Sequence, residues 1–143
     1  MKKILSLILC FLTIFFCAGC GEKEKQKEKN ARENIKYHTG IEIPKEFEML
    51  YYVSEGWQEF RVYGVFKVKD EPTEWLNENA FSNVKDEAFE KSFQEWFGNW
   101  RSCPVPEEYY PIFTGEYYWF QKVYKFLIYD PERELLIVYL FIW

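Results

Sequence analysis

The last nine residues, Leu135 to Trp143 (LLIVYLFIW), carry no charge. The run is too short to cross a bilayer as a helix, which takes ~20 residues. It reads as a β-strand covered on both faces, central in a sheet or paired along both edges. Such a strand requires partners in the rest of the chain, and the sequence offers them. Glu59 to Lys69 alternates cleanly, with Phe60, Val62, Gly64, Phe66 and Val68 on one side. Arg61, Tyr63, Val65, Lys67 and Lys69 form the other, wetter side. Phe47 to Val53 reads as a strand close enough to pair with it as a hairpin, with Ser54-Glu55-Gly56 as turn chemistry. Glu116 to Tyr129 is one long strand or two short ones, and Asp130-Pro131 marks the turn before the terminal run.

Between these strands the period changes. Pro72 and the acids around it suit a helix start, with Trp75 and Leu76 opening its apolar face. Asp86 to Phe97 is a stronger helix, because Phe89, Phe93, Trp96 and Phe97 recur at i, i+4, i+7 and i+8. Gly98 is placed to end it. That aromatic stripe reads as core rather than as a ligand box. Three prolines from Pro104 to Pro111 impose an irregular connection. The order hairpin, helices, hairpin gives an α+β fold: an antiparallel sheet of about four or five strands with one or two helices packed on one face. At 22% aromatic residues, a 143-residue chain can fill such a core with few side chains.

The N-terminus is read separately. Met1-Lys2-Lys3 is basic, the run from Ile4 to Gly21 is uncharged, and small residues precede Cys20. A C-x-x-C redox pair would open a helix inside a βαβ unit, whereas Cys17 and Cys20 close an apolar run. A short uncleaved signal anchor is a second alternative. The third reading is a cleaved signal peptide, with basic, apolar and small-residue regions in order. Ala18-Gly19-Cys20 resembles the lipobox of bacterial lipoproteins. Cys17 departs from the pattern, which usually has Leu there. The resemblance implies cleavage before Cys20, lipidation of Cys20, and a place on the extracytoplasmic face of the cell membrane. Two acyl chains on one residue suffice for stable anchoring.

Gly21 to Asn34 lacks aromatic and branched aliphatic residues, and its charges alternate in sign. That composition is expected to stay flexible, although Glu and Lys would also support a fluctuating helix. The expected organisation is therefore a signal peptide (1–19), a lipidated Cys20 with a charged tether (20–36), and one domain (37–143). The segments "YGVFKVKDEPTEWLNEN" and "YKFLIYDPERELLIVY" resemble small uncharacterised secreted and lipid-anchored proteins of low-GC Gram-positive bacteria. That resemblance implies no activity.

The inventory of reactive side chains disfavours most catalytic designs. His38 is the one histidine, placed by its polar surroundings in an exposed linker. Once Cys10 and Cys17 leave with the signal and Cys20 is acylated, Cys103 stands alone, and a buried apolar role suits it. One His and one free Cys supply too few ligands for zinc, so no metal or cofactor is expected. No phosphate loop or nucleophile elbow is present. Residues 37–143 hold ten Lys/Arg against nineteen Asp/Glu, a net charge of −9 that repels nucleic acid. Glu107-Glu108 is the one acid pair that could serve a glycan hydrolase. The surplus of rings in "PEEYYPIFTGEYYWFQKVY" points elsewhere. Tyr109, Tyr110, Tyr117, Tyr118 and Trp119 are candidates for a surface that binds an envelope protein or a glycan, or else for a thick core. The expected function is a lipid-anchored, non-enzymatic binding domain of the cell envelope. The alternative is a small envelope hydrolase using loop carboxylates.

Overall fold

A computed structural model describes residues 2–143, with side chains from residue 21 onward. Cys20 lies outside the residues whose side chains are described. The element order is α1 (Lys2–Thr39), β1 (Glu48–Glu55), β2 (Phe60–Lys67), α2 (Thr73–Glu78), α3 (Glu87–Gly98), β3 (Tyr118–Lys122), β4 (Lys125–Asp130) and β5 (Leu135–Ile142). Among the described residues the five strands form one antiparallel sheet in the order β1-β2-β5-β4-β3. The uncharged terminal run takes the middle of the sheet. β5 pairs with β2 from Phe60↔Ile142 to Lys67↔Leu135, and with β4 from Lys125↔Leu140 to Asp130↔Leu135. Two sequence-local hairpins thus close around a strand buried on both faces. The class is α+β.

The helices do not share a face. One layer of core joins Ile35, Phe47, Val62, Phe66, Leu76, Leu127 and Leu136 under α1 and α2. The other joins Tyr63, Val65, Phe89, Phe93, Phe126 and Tyr139 under α3. The face of β2 that the alternation marks as wetter is therefore covered, and Tyr63 and Val65 are fully buried. The charges that suggested water sit at the strand ends and are otherwise occupied. The Arg61 guanidinium lies over the rings of Trp100 and Phe141, at 5.9 and 5.3 Å. Lys67 reaches the Arg133 carbonyl and the Glu134 carboxylate.

The segment expected as a flexible tether continues as helix into the domain. Its Glu, Lys, Gln and Ala residues are strong helix formers. Pairs four apart support it: Gln26 Nε2 donates to Asn30 Oδ1 at 2.7 Å, Arg32 pairs with Glu28, and Lys29 with Glu33. The folded unit accordingly begins before residue 37, since Ala31 and Ile35 are fully buried. Ile35 lies over Gly64 of β2, where an added Cβ would stand 3.7 Å from its Cδ1, so the helix crosses the sheet closely. Lys36 occupies the last turn, where a cation suits the helix dipole. Gly40, at φ +81, then takes the left-handed position that ends α1. α3 starts conventionally, with the Asp86 carboxylate accepting from the Ala88 and Phe89 amides at 2.8 and 3.2 Å.

Candidate functional site

The five aromatic residues singled out from the sequence are mostly drawn into the α3 layer. Tyr117 is buried; its hydroxyl donates to Glu90 Oε1 at 2.6 Å and accepts from the Asp86 amide. Burial first, and then the Glu90 hydrogen bond, push that hydroxyl up to about 12. Trp119 stacks on Phe89 with ring centroids 4.5 Å apart, and its Nε1 donates to the Val84 carbonyl. Tyr110 meets Phe97 edge-on at 4.9 Å, and its hydroxyl points at Cys103 Sγ, 4.0 Å away. Tyr109 packs on Tyr51, and its carbonyl accepts from the Tyr63 hydroxyl at 2.7 Å. Tyr118 lies on the opposite face, against Tyr129, with its hydroxyl on Glu71. All four residues other than Tyr117 are half-buried. They form a thick core and its margin, not one exposed patch.

Tyr139 of β5 anchors this lattice. It touches Phe93, Phe97, Trp100 and Phe126, and its hydroxyl donates to the Trp96 carbonyl at 2.9 Å. Burial pushes that hydroxyl up to about 12. Such ring pairs contribute about 0.5–1.5 kcal/mol each beyond the area they bury. The ring surplus therefore has a structural use. It fills the space between one sheet face, a single three-turn helix and the proline-rich connection.

That connection is fixed from the β4–β5 turn. The Asp130 carboxylate accepts from the amides of Glu132 and Arg133 and from Arg133 Nε at 2.6 Å. Arg133 then donates to the carbonyls of Glu108 and Tyr110, both at 3.0 Å. Glu107 and Glu108 begin an exposed 3₁₀ turn (Glu107–Tyr109). Among the described residues their carboxylates make no hydrogen bond or ion pair. His38 is half-buried against Tyr37 rather than free in a linker. Burial first, and the nearby Lys125 charge second, lower its basicity. Among the described residues no group of three or more His, Cys, Asp or Glu side chains is arranged to hold a metal ion. No helix of the described residues is long and apolar enough to cross a membrane.

Of the concavities among the described residues, two bear on the argument. One, of about 610 Å³, lies where β2 leads into α2 and carries Glu46, Asp70, Glu71 and Glu74 around Trp75. The Trp75 indole donates to the Glu42 carbonyl, which holds the ring as part of the wall. The other, of about 760 Å³, runs between α1 and β1 and is lined by Lys23, Lys27, Asn30, Asn34, Tyr52 and Ser54. The Asn34 amide donates to the Tyr52 hydroxyl across it at 2.9 Å.

The most exposed rings are Trp57 at 98%, Tyr37 at 85% and Trp143 at 75%. Trp143, expected within the covered terminal strand, lies just past its end and is open to solvent. The available signal for Trp57 was its place directly after the turn glycine Gly56, where no strand periodicity could bury it. No protein-family model matches this chain, and neither the curated proteins nor the solved structures yield a match.

Proposed function

We propose that this chain is a lipid-anchored protein of the bacterial cell envelope, a small domain held at the membrane surface that acts by binding rather than by catalysis. The observation that carries the reading is the N-terminal pattern: a basic start, an uncharged run and Ala18-Gly19-Cys20. The path of α1 supports a close mount. At ~1.5 Å per helical residue, the eleven steps from Cys20 to the buried Ala31 span roughly 16 Å. An extended tether of similar length would allow two to three times that reach. The binding role is supported by where the rings and acids fall. The acid pair stands alone on its turn, while large apolar side chains stand free elsewhere on the surface.

The test is Cys20→Ala in the full chain, followed by membrane fractionation, precursor size and fatty-acid labelling. The expected result is an unprocessed, unlabelled precursor. A variant that matures to wild-type size and still carries label removes the lipoprotein reading.

A further inference from the structure

The sheet register gathers exposed apolar side chains at one end of the molecule. Glu55 pairs with Arg61, Phe60 with Ile142, Lys125 with Leu140, and Lys122 with Lys125. The β1–β2 turn, the β3–β4 turn and the C-terminal end of β5 therefore lie together. Each presents a large apolar residue to solvent: Trp57 at 98% exposure, Val123 at 66% and Trp143 at 75%. The presentation is built in. Gly56 has φ +117, and a Cβ there would stand 1.8 Å from the Glu59 carbonyl oxygen, so the turn is tight and Trp57 projects from it. Trp143 leans on Tyr124 and Phe141 at 5.4 and 5.8 Å, and Trp96 backs Tyr124 at 4.1 Å.

This end also carries a lysine pair. Lys122 and Lys125 stand there side by side, on a domain of −9 overall. The helix that leads to the apolar N-terminal run passes close by. Lys23 and Lys27 share a groove with Val53 and Ser54, the strand residues just before the turn, and Lys23 follows the uncharged run ending at Gly21 by two positions.

We propose that this end of the sheet is a lipid-contacting surface, with Trp57 and Trp143 seated at the headgroup–acyl boundary and Lys122 and Lys125 against anionic headgroups. Tryptophan concentrates at that boundary because its ring is apolar and its N–H is polar. Lysines beside it gain from the negative surface potential. The occupant is a bilayer because, on the lipoprotein reading, the anchor at Cys20 would hold one within a few residues of Lys23, and because Lys122 and Lys125 present two adjacent ammonium groups beside the exposed rings. A seated end would fix the orientation of the domain and turn its opposite end, with the acidic concavity by α2, away from the membrane. The inference rests on the membrane-anchored reading and deepens it.

The test uses the full acylated chain in vesicles of phosphatidylglycerol and phosphatidylethanolamine with brominated acyl chains. Part of the tryptophan emission should be quenched by the bromolipid and shielded from aqueous acrylamide. Trp57→Phe with Trp143→Phe should reduce the bromolipid-quenchable part several-fold. Lys122→Glu with Lys125→Glu, a surface change independent of the rings, should reduce it as well. Vesicle-bound protein whose bromolipid quenching is absent, or unchanged in both variants, overturns the lipid contact and leaves the anchor standing. Failure of the chain to stay on vesicles at all overturns both. Rings open to acrylamide on pure lipid but shielded in native membranes would mean that a protein covers this end, which also overturns the proposal.

Discussion

Val123 sits at the tip of the β3–β4 hairpin with φ 57, a left-handed backbone that β-branched residues rarely adopt. The side chain is exposed, so nothing in the core depends on it. Left-handed geometry costs an L-residue roughly 1–2 kcal/mol, part of which glycine returns as extra freedom in the unfolded chain. Val123→Gly is therefore expected to stabilise the domain by about 0.5–1 kcal/mol, read as a higher denaturant midpoint at unchanged slope. A lower midpoint would show that the turn is not strained. The same residue explains why the sequence left one long strand and two short ones both open. A two-residue turn normally declares itself with Asn-Gly or Gly, and "QKVYKF" offers neither. Trp57 was hidden by the opposite bias, because sequence patterns assign rings to cores by default. The choice between surface and thick core for the rings from Tyr109 to Trp119 stayed open in the sequence for a related reason. Period two correctly put Tyr117 and Trp119 on the side opposite Tyr118, but it could not show that a helix covers each side.

At the scale of elements, α1 is joined to the domain mainly through Arg32. Its guanidinium donates to the carbonyls of Ile43 at 3.2 Å, Pro44 at 2.6 Å, and Phe47, pairs with Glu28, and lies 5.2 Å over the Phe66 ring. Lysine could not reproduce this fork, which matches three carbonyls from one rigid plane. Arg32→Ala leaves those carbonyls without their donor and removes the stem that covers Phe66. Hydrogen bonds to a charged group contribute about 1.5–3 kcal/mol each, so the expected loss is about 3 kcal/mol after water reaches part of the gap. Amide exchange across residues 31–39 should rise with it, while β5 stays protected. If the two regions lose protection equally, the latch is not local. None of this was legible from "GEKEKQKEKNAREN", because Arg32 carries the same charge as its solvated neighbours. What distinguishes it is the position of Ala31 and Ile35, which turns that face of the helix onto the sheet. The terminal strand, by contrast, was readable from composition alone. Nine residues without charge leave little choice but the middle of a sheet.

Across the whole molecule, burial divides α1 in two. Lys23, Lys25, Lys27 and Lys29 are exposed on a stretch with no side chain in the core, while Ala31, Ile35 and Thr39 are packed. A helix of about ten residues with no buried side chain is marginal in water, since nucleation is costly and ion pairs four apart return only tenths of a kcal/mol each. The N-terminal part of this stretch should therefore open locally at small cost. Opening at Arg32 or Lys36 requires lifting Ile35 off Gly64 and breaking the Arg32 latch. Brief trypsin treatment of the folded protein is thus expected to cut first between Lys23 and Lys29. It should release a folded fragment beginning no later than Asn30 that resists cutting at Arg32 and Lys36. Mass spectrometry of the released fragments reads the order directly. Cleavage at Arg32 or Lys36 as fast as at Lys27 would mean that the packed half of α1 is not part of the cooperative domain. The domain would then begin where the composition alone placed it, at residue 37. Protection of Arg32 with ready cleavage at Lys27 leaves a short helical post whose outer half yields and whose inner half is core.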